Sequence, residues 1–320
     1  MILTVTLNTA LDLTYRVRAL RPHGSHRVSE VVERPGGKGV NVARVLAALG
    51  HEATVTGFAG GATGRQVRDA LTAVPGVSDA LVPVSAATRR TVAVVDETTG
   101  DTTQLNEPGP TVTAQEWTAF QEMYRELVAA ASAVALCGSL PPGVPVGAYA
   151  ALVRTARAAG VPVLLDTGGE PLRRGVAARP DVVKPNADEL AELTGSHDPL
   201  RATQDARRRG ARAVVASLGP DGLLAVTPEG RWRATTPVRL PGNPTGAGDS
   251  VVAGLLSGLV EQLPWHDRLI RAAALAAATV RSPVAGEFDR RTYDELRGRV
   301  AVSGEAGAAR PGPVRPAVSS

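Results

Sequence analysis

The stretch NPTGAGDSVVAGLLSGL runs from Asn243 to Leu259. Its apolar residues Val252, Leu255, Leu256 and Leu259 fall at helical spacing, continue through Val260 and Leu263, and stop at Pro264. A glycine-rich turn therefore opens a helix, and Asp249 lies in the first turn. The first amides of a helix point outward unpaired, where the helix dipole is positive. Gly246 and Gly248 let the backbone turn and come close to a ligand. A turn of this kind can hold an anion on its amides. One reading of Asp249 is an N-terminal helix cap. The other is chemical. The amides of Gly246, Ala247 and Gly248 would stabilise charge on a transferring phosphoryl group, and Asp249 would accept the proton of the attacking hydroxyl. The two glycines, the small Ala247 and Ser250 behind them favour the chemical reading.

Outward from this helix, short β-branched runs alternate with helical patterns. ILTVTLN (2–8), ATVTGFA (53–59), AVALCG (133–138), VPVLLD (161–166) and AVVASLG (213–219) read as strands. VNVARVLAALG (40–50), GRQVRDALTAV (64–74), 114–131, 146–159 and ADELAEL (187–193) read as helices, and helices fill most of 249–301. The pattern predicts an α/β fold with a mainly parallel central sheet covered by helices on both faces. Ligands in such folds bind at the carboxyl ends of the strands. A hairpin at 90–107 and a polar segment at 12–34 break the alternation. They are expected to form a small β lid over that edge. From Ser303 the chain turns to Gly, Pro, Ala and Ser without periodicity, which predicts a disordered tail over 303–320.

The composition narrows the function classes. The chain has 320 residues, 43% of them hydrophobic, enough for one large α/β domain or two small ones. Cys137 is the only cysteine, so no internal disulfide forms and a reducing, cytoplasmic compartment is expected. The opening MILTVTLNTALD lacks the basic and long apolar parts of a signal peptide. No run of 18 apolar residues without charge suggests a membrane span. A pI of 9.7 invites nucleic acid, but the net charge is only +4. The densest basic cluster, DARRRGAR (205–212), reads as the solvated end of a helix, so no nucleic-acid partner is expected. Lys and Arg total 35, yet only Lys38 and Lys184 are lysines. They mark positions that need a compact ammonium and not a planar fork.

Both lysines lie in motif-like stretches. In RPGGKGVNVARVLAALG, three glycines and Lys38 precede a helix, and open backbone with one ammonium suits phosphate or sugar hydroxyls. Asn41 in the first turn both donates and accepts. The alternative is a tight turn with a solvated lysine. In VVKPNADELAEL, Asn186 and Glu189 share one helix face, which suits Mg²⁺ held partly through water. A capping box of Asn186 and Glu189 fits the spacing equally well. ASLGPDGLLAV ends a strand at Ser217 and turns through Gly219 and Gly222, either a nucleotide edge or a plain turn. Asp12 follows the first strand, facing a cleft or solvent. Arg89 and Arg90 open the lid hairpin, where one could pair with a phosphate or both lie on its surface.

With these segments in view, the chain resembles the PfkB family of sugar kinases, the ribokinase-like group. GGKGVNVARVLAALG (36–50) is similar to its first signature and NPTGAGDSVVAGL (243–255) to its second. GSLPPGVP (138–145), VKPNADEL (183–190) and SLGPDG (217–222) follow in the family's order, and the resemblance covers about residues 1–300. It implies a ribokinase-like three-layer fold over residues 1–302 with a β lid, ATP as co-substrate and Mg²⁺ as cofactor. On matching positions Asp249 becomes the base and Gly246, Ala247 and Gly248 the anion hole. Asp12, Gly37, Lys38, Asn41 and Ser139 become sugar contacts, and Arg89 a phosphate ligand. Lys184, Asn186, Ser217, Gly219 and Gly222 fall on the nucleotide side, with Glu189 linked to Mg²⁺ through water. A homodimer through the lid is a further expectation.

Within the family, MILTVTLNTALD, GGKG and GSLPPG look most like the hexose-phosphate branch. Lys38 resembles the fructose-1-phosphate and tagatose-6-phosphate enzymes, whereas GGATGRQV (60–67) resembles the minor 6-phosphofructokinases. The acceptor expected is fructose 1-phosphate, with tagatose 6-phosphate and fructose 6-phosphate as alternatives. Asn243 stands where the family usually has an acid, which puts any monovalent-cation site in question. A sugar-phosphate sensor without catalysis is the reading from a different class, and the intact base and anion hole speak against it.

Overall fold

Alternating inward and outward side chains sort the strands' apolar residues into two separate cores, one on each face of a central sheet. The computed structural model describes residues 1–282 and 284–306. In chain order the first elements are β1 (Ile2–Thr6), β2 (Ala10–Val17), β3 (Glu30–Gly36), α1 (Lys38–Ala48), β4 (Ala53–Gly60) and α2 (Gly61–Thr72). Next come β5 (Val77–Asp79), β6 (Val82–Val84), β7 (Arg89–Asp96), β8 (Thr102–Asn106), α3 (Ala114–Ala129), β9 (Ala133–Cys137) and α4 (Ala148–Ala158). Then follow β10 (Val163–Asp166), α5 (Gly169–Ala177), β11 (Val182–Val183), α6 (Ala187–Thr194), α7 (Pro199–Arg208) and β12 (Ala213–Ser217). The chain closes with β13 (Leu223–Thr227), β14 (Gly230–Thr235), α8 (Ala247–Val260), α9 (Trp265–Val280), α10 (Arg290–Arg297) and β15 (Ala301–Ala306).

The central sheet runs β15-β14-β13-β12-β11-β10-β9-β1-β4-β5, with β6 also on β4. From β12 to β5 every pairing is parallel, and β12 to β15 are antiparallel. Along β10, Leu164 faces one core while Val163 and Leu165 face the other. This is the period of two that a pleated strand imposes. The first core takes α1, α2, α8, α9 and α10, the second α3 to α7. The expected α/β fold with helices on both faces is present.

The second sheet, β3-β2-β7-β8, is the lid drawn from the two segments that break the alternation. Only Leu7, Asn8 and Thr9 separate β1 from β2, so the chain passes from the central sheet straight into the lid. Asp12 on β2 stands opposite Arg34 on β3 and Thr91 on β7.

Three features depart from the sequence reading. Helices α5 and α7 lie where only loops or a helix end were expected. Their buried positions are few: Leu172, Gly175 and Val176 in α5, Ala202, Thr203 and Ala206 in α7. So few large apolar residues leave little periodicity to read. The third is a correction at the carboxyl end. The expected tail begins at Ser303, but β15 continues to Ala306, paired with β14 from Ala301↔Thr235 to Ala306↔Gly230. Strand pairing uses backbone groups, which a Gly, Ala and Ser composition does not reveal. Gly304 lets the Trp232 ring lie close, since a Cβ there would meet Trp232 Cε3 at 2.5 Å. Residues 307–320 of the expected tail lie outside the described residues.

Candidate active site

The parallel strands end at one edge, with Asp166 closing β10, Lys184 following β11 and Ser217 closing β12. The lid stands over this edge, and a cavity of about 880 Å³ lies between them. It brings together Asp12, Gly37, Lys38, Asn41 and Arg89 from the expected sugar side. From the expected nucleotide side it takes Lys184, Asn186, Ser217, Gly219 and Gly222. Gly246, Ala247, Gly248 and Asp249 line the same space. Ser139 and Glu189 are not among its lining residues. The Ser139 hydroxyl instead accepts Asn8 Nδ2 at 3.0 Å.

Helix α8 begins where the turn demands it. Gly246 is its N-cap, at φ +85° in the left-handed region. A Cβ there would meet Ala285 Cα and Cβ at 2.9 Å, so the position needs glycine twice over. No side chain caps the helix, so Asp249 is not a cap. Asp249 is 6% exposed, and its carboxylate accepts Asn41 Nδ2 at 2.8 Å on Oδ2. Burial lifts its pKa to about 7. Asp166 pushes the same way, against the pull of Lys38, Asn41 and Lys184. A carboxylate that titrates near neutrality, beside outward amides, is suited to take a proton.

Asp166 escaped the sequence reading, and it organises the site. It is fully buried, and its Oδ1 lies 3.3 Å from both Lys38 Nζ and Lys184 Nζ. The chain's two lysines thus meet on one oxygen. Oδ2 of Asp166 has no hydrogen-bond partner among the described residues. Burial works against the Lys38 charge, yet Asp166, Asp249 and Glu189 together hold its pKa above the usual lysine value. The available signal was an acid that closes the apolar run VPVLLD at a strand's carboxyl end.

At the lid, the Asp12 carboxylate accepts the Thr91 hydroxyl. Burial raises its pKa, opposed by Thr91, Arg89 and Arg44. A Cβ on Gly36 would collide with this carboxyl group, so that glycine makes room for it. Arg89 donates Nε to the Asn8 carbonyl at 3.2 Å, and the charges that answer its own are Asp12 and Glu107. At the other end, the backbone N–H of Asn186 donates to Glu189 Oε2 and that of Glu189 to Asn186 Oδ1, both at 2.8 Å. The capping box therefore forms, and it ties down one oxygen of each residue. Val238, Leu240, Ala273, Ala276, Ala277 and Val280 add an apolar wall to the same cavity. Among the described residues no three His, Cys, Asp or Glu cluster to hold a metal unaided. None of the described helices is long and apolar enough to cross a membrane.

The pfkB family carbohydrate kinase pattern matches residues 4–290. The chain belongs to this family. The protein is an ATP-dependent kinase, a phosphotransferase that acts on an alcohol group of a carbohydrate. The kinase superposes on the tetrameric inhibited form of phosphofructokinase-2 from Escherichia coli with a TM-score of 0.85 and 30% identity. That match covers 93% of this chain and 98% of the other. The complex of the same enzyme with fructose-6-phosphate matches with a TM-score of 0.83 and 30% identity, over 92% and 98%. A possible 1-phosphofructokinase from Thermotoga maritima gives a TM-score of 0.86 and 27% identity, over 95% and 99%. The fold is the ribokinase-like fold of these kinases.

Proposed function

We propose that this kinase transfers the γ-phosphoryl group of ATP to O6 of fructose 1-phosphate, giving fructose 1,6-bisphosphate. The observation that carries a phosphorylated acceptor is that one cavity holds both Asp249 and Arg89, while Arg89 answers to a different set of charges. A sugar phosphate set between them would rest its phosphate on Arg89 and turn its free CH₂OH to Asp249, with Asp12 at the ring. Asp249 takes the hydroxyl proton as O6 bonds to the γ-phosphorus. The bond from that phosphorus to the bridging oxygen breaks, and its electron pair leaves on ADP. The amides of Gly246 to Gly248 would stabilise the charge on the transferring group.

On the nucleotide side, Lys184, Ser217 and Gly219 would contact phosphates, and Gly222 would let the loop approach. The apolar wall suits a base. Mg²⁺ would arrive with ATP. The carboxylate of Glu189 fits an outer role, because the cap leaves Oε1 without a hydrogen bond among the described residues. Bound there through water, Mg²⁺ would neutralise phosphate charge. A homodimer through the lid belongs to the same reading, and the outer lid strands leave Val31 and Leu105 exposed.

The choice of the 1-phosphate rests on the resemblance of the GGKG stretch to the fructose-1-phosphate enzymes, not on a contact of Lys38 with the acceptor's phosphate. A second reading, fructose 6-phosphate, is favoured by the 30% identity to the Escherichia coli enzyme. Steady-state kcat/KM for fructose 1-phosphate, fructose 6-phosphate, tagatose 6-phosphate and fructose, with ATP and Mg²⁺, tests the proposal. Fructose as the best acceptor would overturn the phosphate pocket. Another sugar phosphate as the best would replace only the sugar.

A further inference from the structure

We propose that Asp166 is a positioning residue that sets Lys38 and Lys184 as two compact cations on the transferring phosphoryl group, so that Lys38 serves the transfer point and not the acceptor's own phosphate. This rests on phosphoryl transfer at Asp249 but not on which sugar accepts.

The first support is the shared oxygen. Two ammonium groups lie 3.3 Å from the single Oδ1 of a fully buried carboxylate. An ammonium is a point charge and can share one oxygen. A guanidinium is a planar fork that engages both carboxylate oxygens and fills the space of its neighbour. The second support is compositional. Arginine supplies all but two of the chain's 35 basic residues, and the two lysines are this pair. Two independent surface lysines would not be expected to meet on one buried acid. The third is place. A Cβ on Gly248, in the expected anion hole, would lie 3.6 Å from Lys184 Nζ. The charges of Lys38 and Lys184 both act on Asp249. The fields at Arg89 come instead from Asp12 and Glu107. Two ammonium groups on one carboxylate leave one positive charge in surplus beside the base, where negative charge arrives with the γ-phosphoryl group.

Four variants test this: Lys38→Met, Lys38→Arg, Lys184→Arg and Asp166→Asn, each checked for folding by its melting temperature. Loss of one such charged donor is expected to lower kcat by about 10²-fold. The loss in Lys38→Met should be equal for every sugar phosphate accepted, and Lys38→Arg and Lys184→Arg should each lose activity to a similar extent, because a guanidinium does not replace either ammonium.

The pH profile gives a readout that a purely structural role would not move. The groups facing Asp249 are Lys38 and Asn41 from α1, Asp166 from β10, Lys184 after β11 and Cys137 from β9. Removing the Lys38 charge takes away a cation that favours the Asp249 carboxylate, so the acid limb of kcat should move to higher pH. Asp166→Asn removes a neighbouring negative charge, so the limb should move to lower pH. Calorimetry supplies a second readout. ADP with aluminium fluoride, Mg²⁺ and sugar phosphate should bind at least about tenfold more weakly to Lys38→Met than to wild type, with ADP alone unchanged.

A Lys38→Arg variant with more than half the wild-type kcat would overturn the proposal. So would a Lys38→Met effect confined to the sugar-phosphate KM, or acid limbs that move the same way in both variants. If Asp166→Asn fails to fold, the Lys38 variants decide, since that side chain is 40% exposed and its replacement leaves the cores intact. A different best sugar would sink the fructose 1-phosphate reading and leave these outcomes as stated.

Discussion

Asn41 donates its side-chain amide to Oδ2 of Asp249 at 2.8 Å, joining the first turn of α1 to the first turn of α8. The two glycine-rich motifs, 208 residues apart in sequence, thus meet in one hydrogen bond. The bond occupies one carboxylate oxygen. Oδ1 has no hydrogen-bond partner among the described residues, so it is available to a hydroxyl proton.

Asp249→Asn keeps the shape and removes the acceptor. Its kcat should fall by about 10²–10⁴-fold, with sugar-phosphate and ATP binding within a few fold of wild type. In the wild-type enzyme, kcat/KM should rise with pH through about 7, as the Asp249 carboxyl group loses its proton. Steady-state kinetics across pH 5–9 would check both. A variant with over half the wild-type kcat would refute the base.

The same carboxylate costs stability. Its pKa is near 7 in the folded chain and about 3.9 when unfolded. Between those values the folded chain binds the extra proton, so stability falls as pH rises from about 4 to about 7. Asn at this position escapes that loss. Asp249→Asn should therefore be the more stable protein at pH 7.5, by about 1–4 kcal/mol, and the advantage should vanish near pH 4. Denaturant titrations at the two pH values test the sign.

Two neighbouring glycines should behave differently. Gly246→Ala meets a left-handed φ and a collision with Ala285. It should cost about 1–3 kcal/mol of stability and most of the activity. Gly248→Ala places its methyl group in ordinary contact, 3.6 Å from Lys184 Nζ. Its melting temperature should stay within about 2 °C of wild type while kcat falls. Equal destabilisation of both variants would contradict the distinction.

Arg89→Ala should raise the KM for the sugar phosphate and spare that for ATP. A charge-assisted contact of this kind contributes about 1.5–3 kcal/mol, or roughly 10–100-fold. A change confined to the ATP KM would place Arg89 at the wrong end of the cavity.

Lid closure should slow amide exchange along β7 and β8 when sugar phosphate is bound, because closure excludes water. Hydrogen-exchange mass spectrometry over 89–106, at shown saturation, measures it. Unchanged exchange would argue against a closing lid.

The sequence was most legible where backbone need and side-chain chemistry coincide. Gly246, Asp249, Lys38 and Asn41 are adjacent to glycine-rich turns, and the cavity contains all four. Strands with β-branched runs were readable through their period. Asp166 was not, because a single acid at a strand end carries no spacing, and only the fold shows what meets it. Ser139 and Glu189 show the converse. Each sits in a motif but not among the cavity's lining residues: the Ser139 hydroxyl accepts Asn8, and one oxygen of Glu189 closes a helix cap. Helix α7 was hidden because its buried face is Ala202, Thr203 and Ala206, too small to stand out.

The short passage from β1 through Leu7, Asn8 and Thr9 into β2 has a consequence for how such a kinase can diversify. Asp12 and Arg89 ride on a four-stranded sheet with its own hydrogen-bond ladder, where Arg89 pairs with Ala10 across β2 and β7. Lys184, Ser217 and Gly222 ride on the central sheet. On the proposed roles, the lid's share of acceptor recognition and the handling of the donor are carried on separate pieces of scaffold, while Lys38 and Asn41 stay with α1. On that proposal, substitutions that drift through the lid can re-tune the grip on the sugar while the half assigned to the nucleotide stays as it was, much as a lathe accepts a new chuck without a new motor.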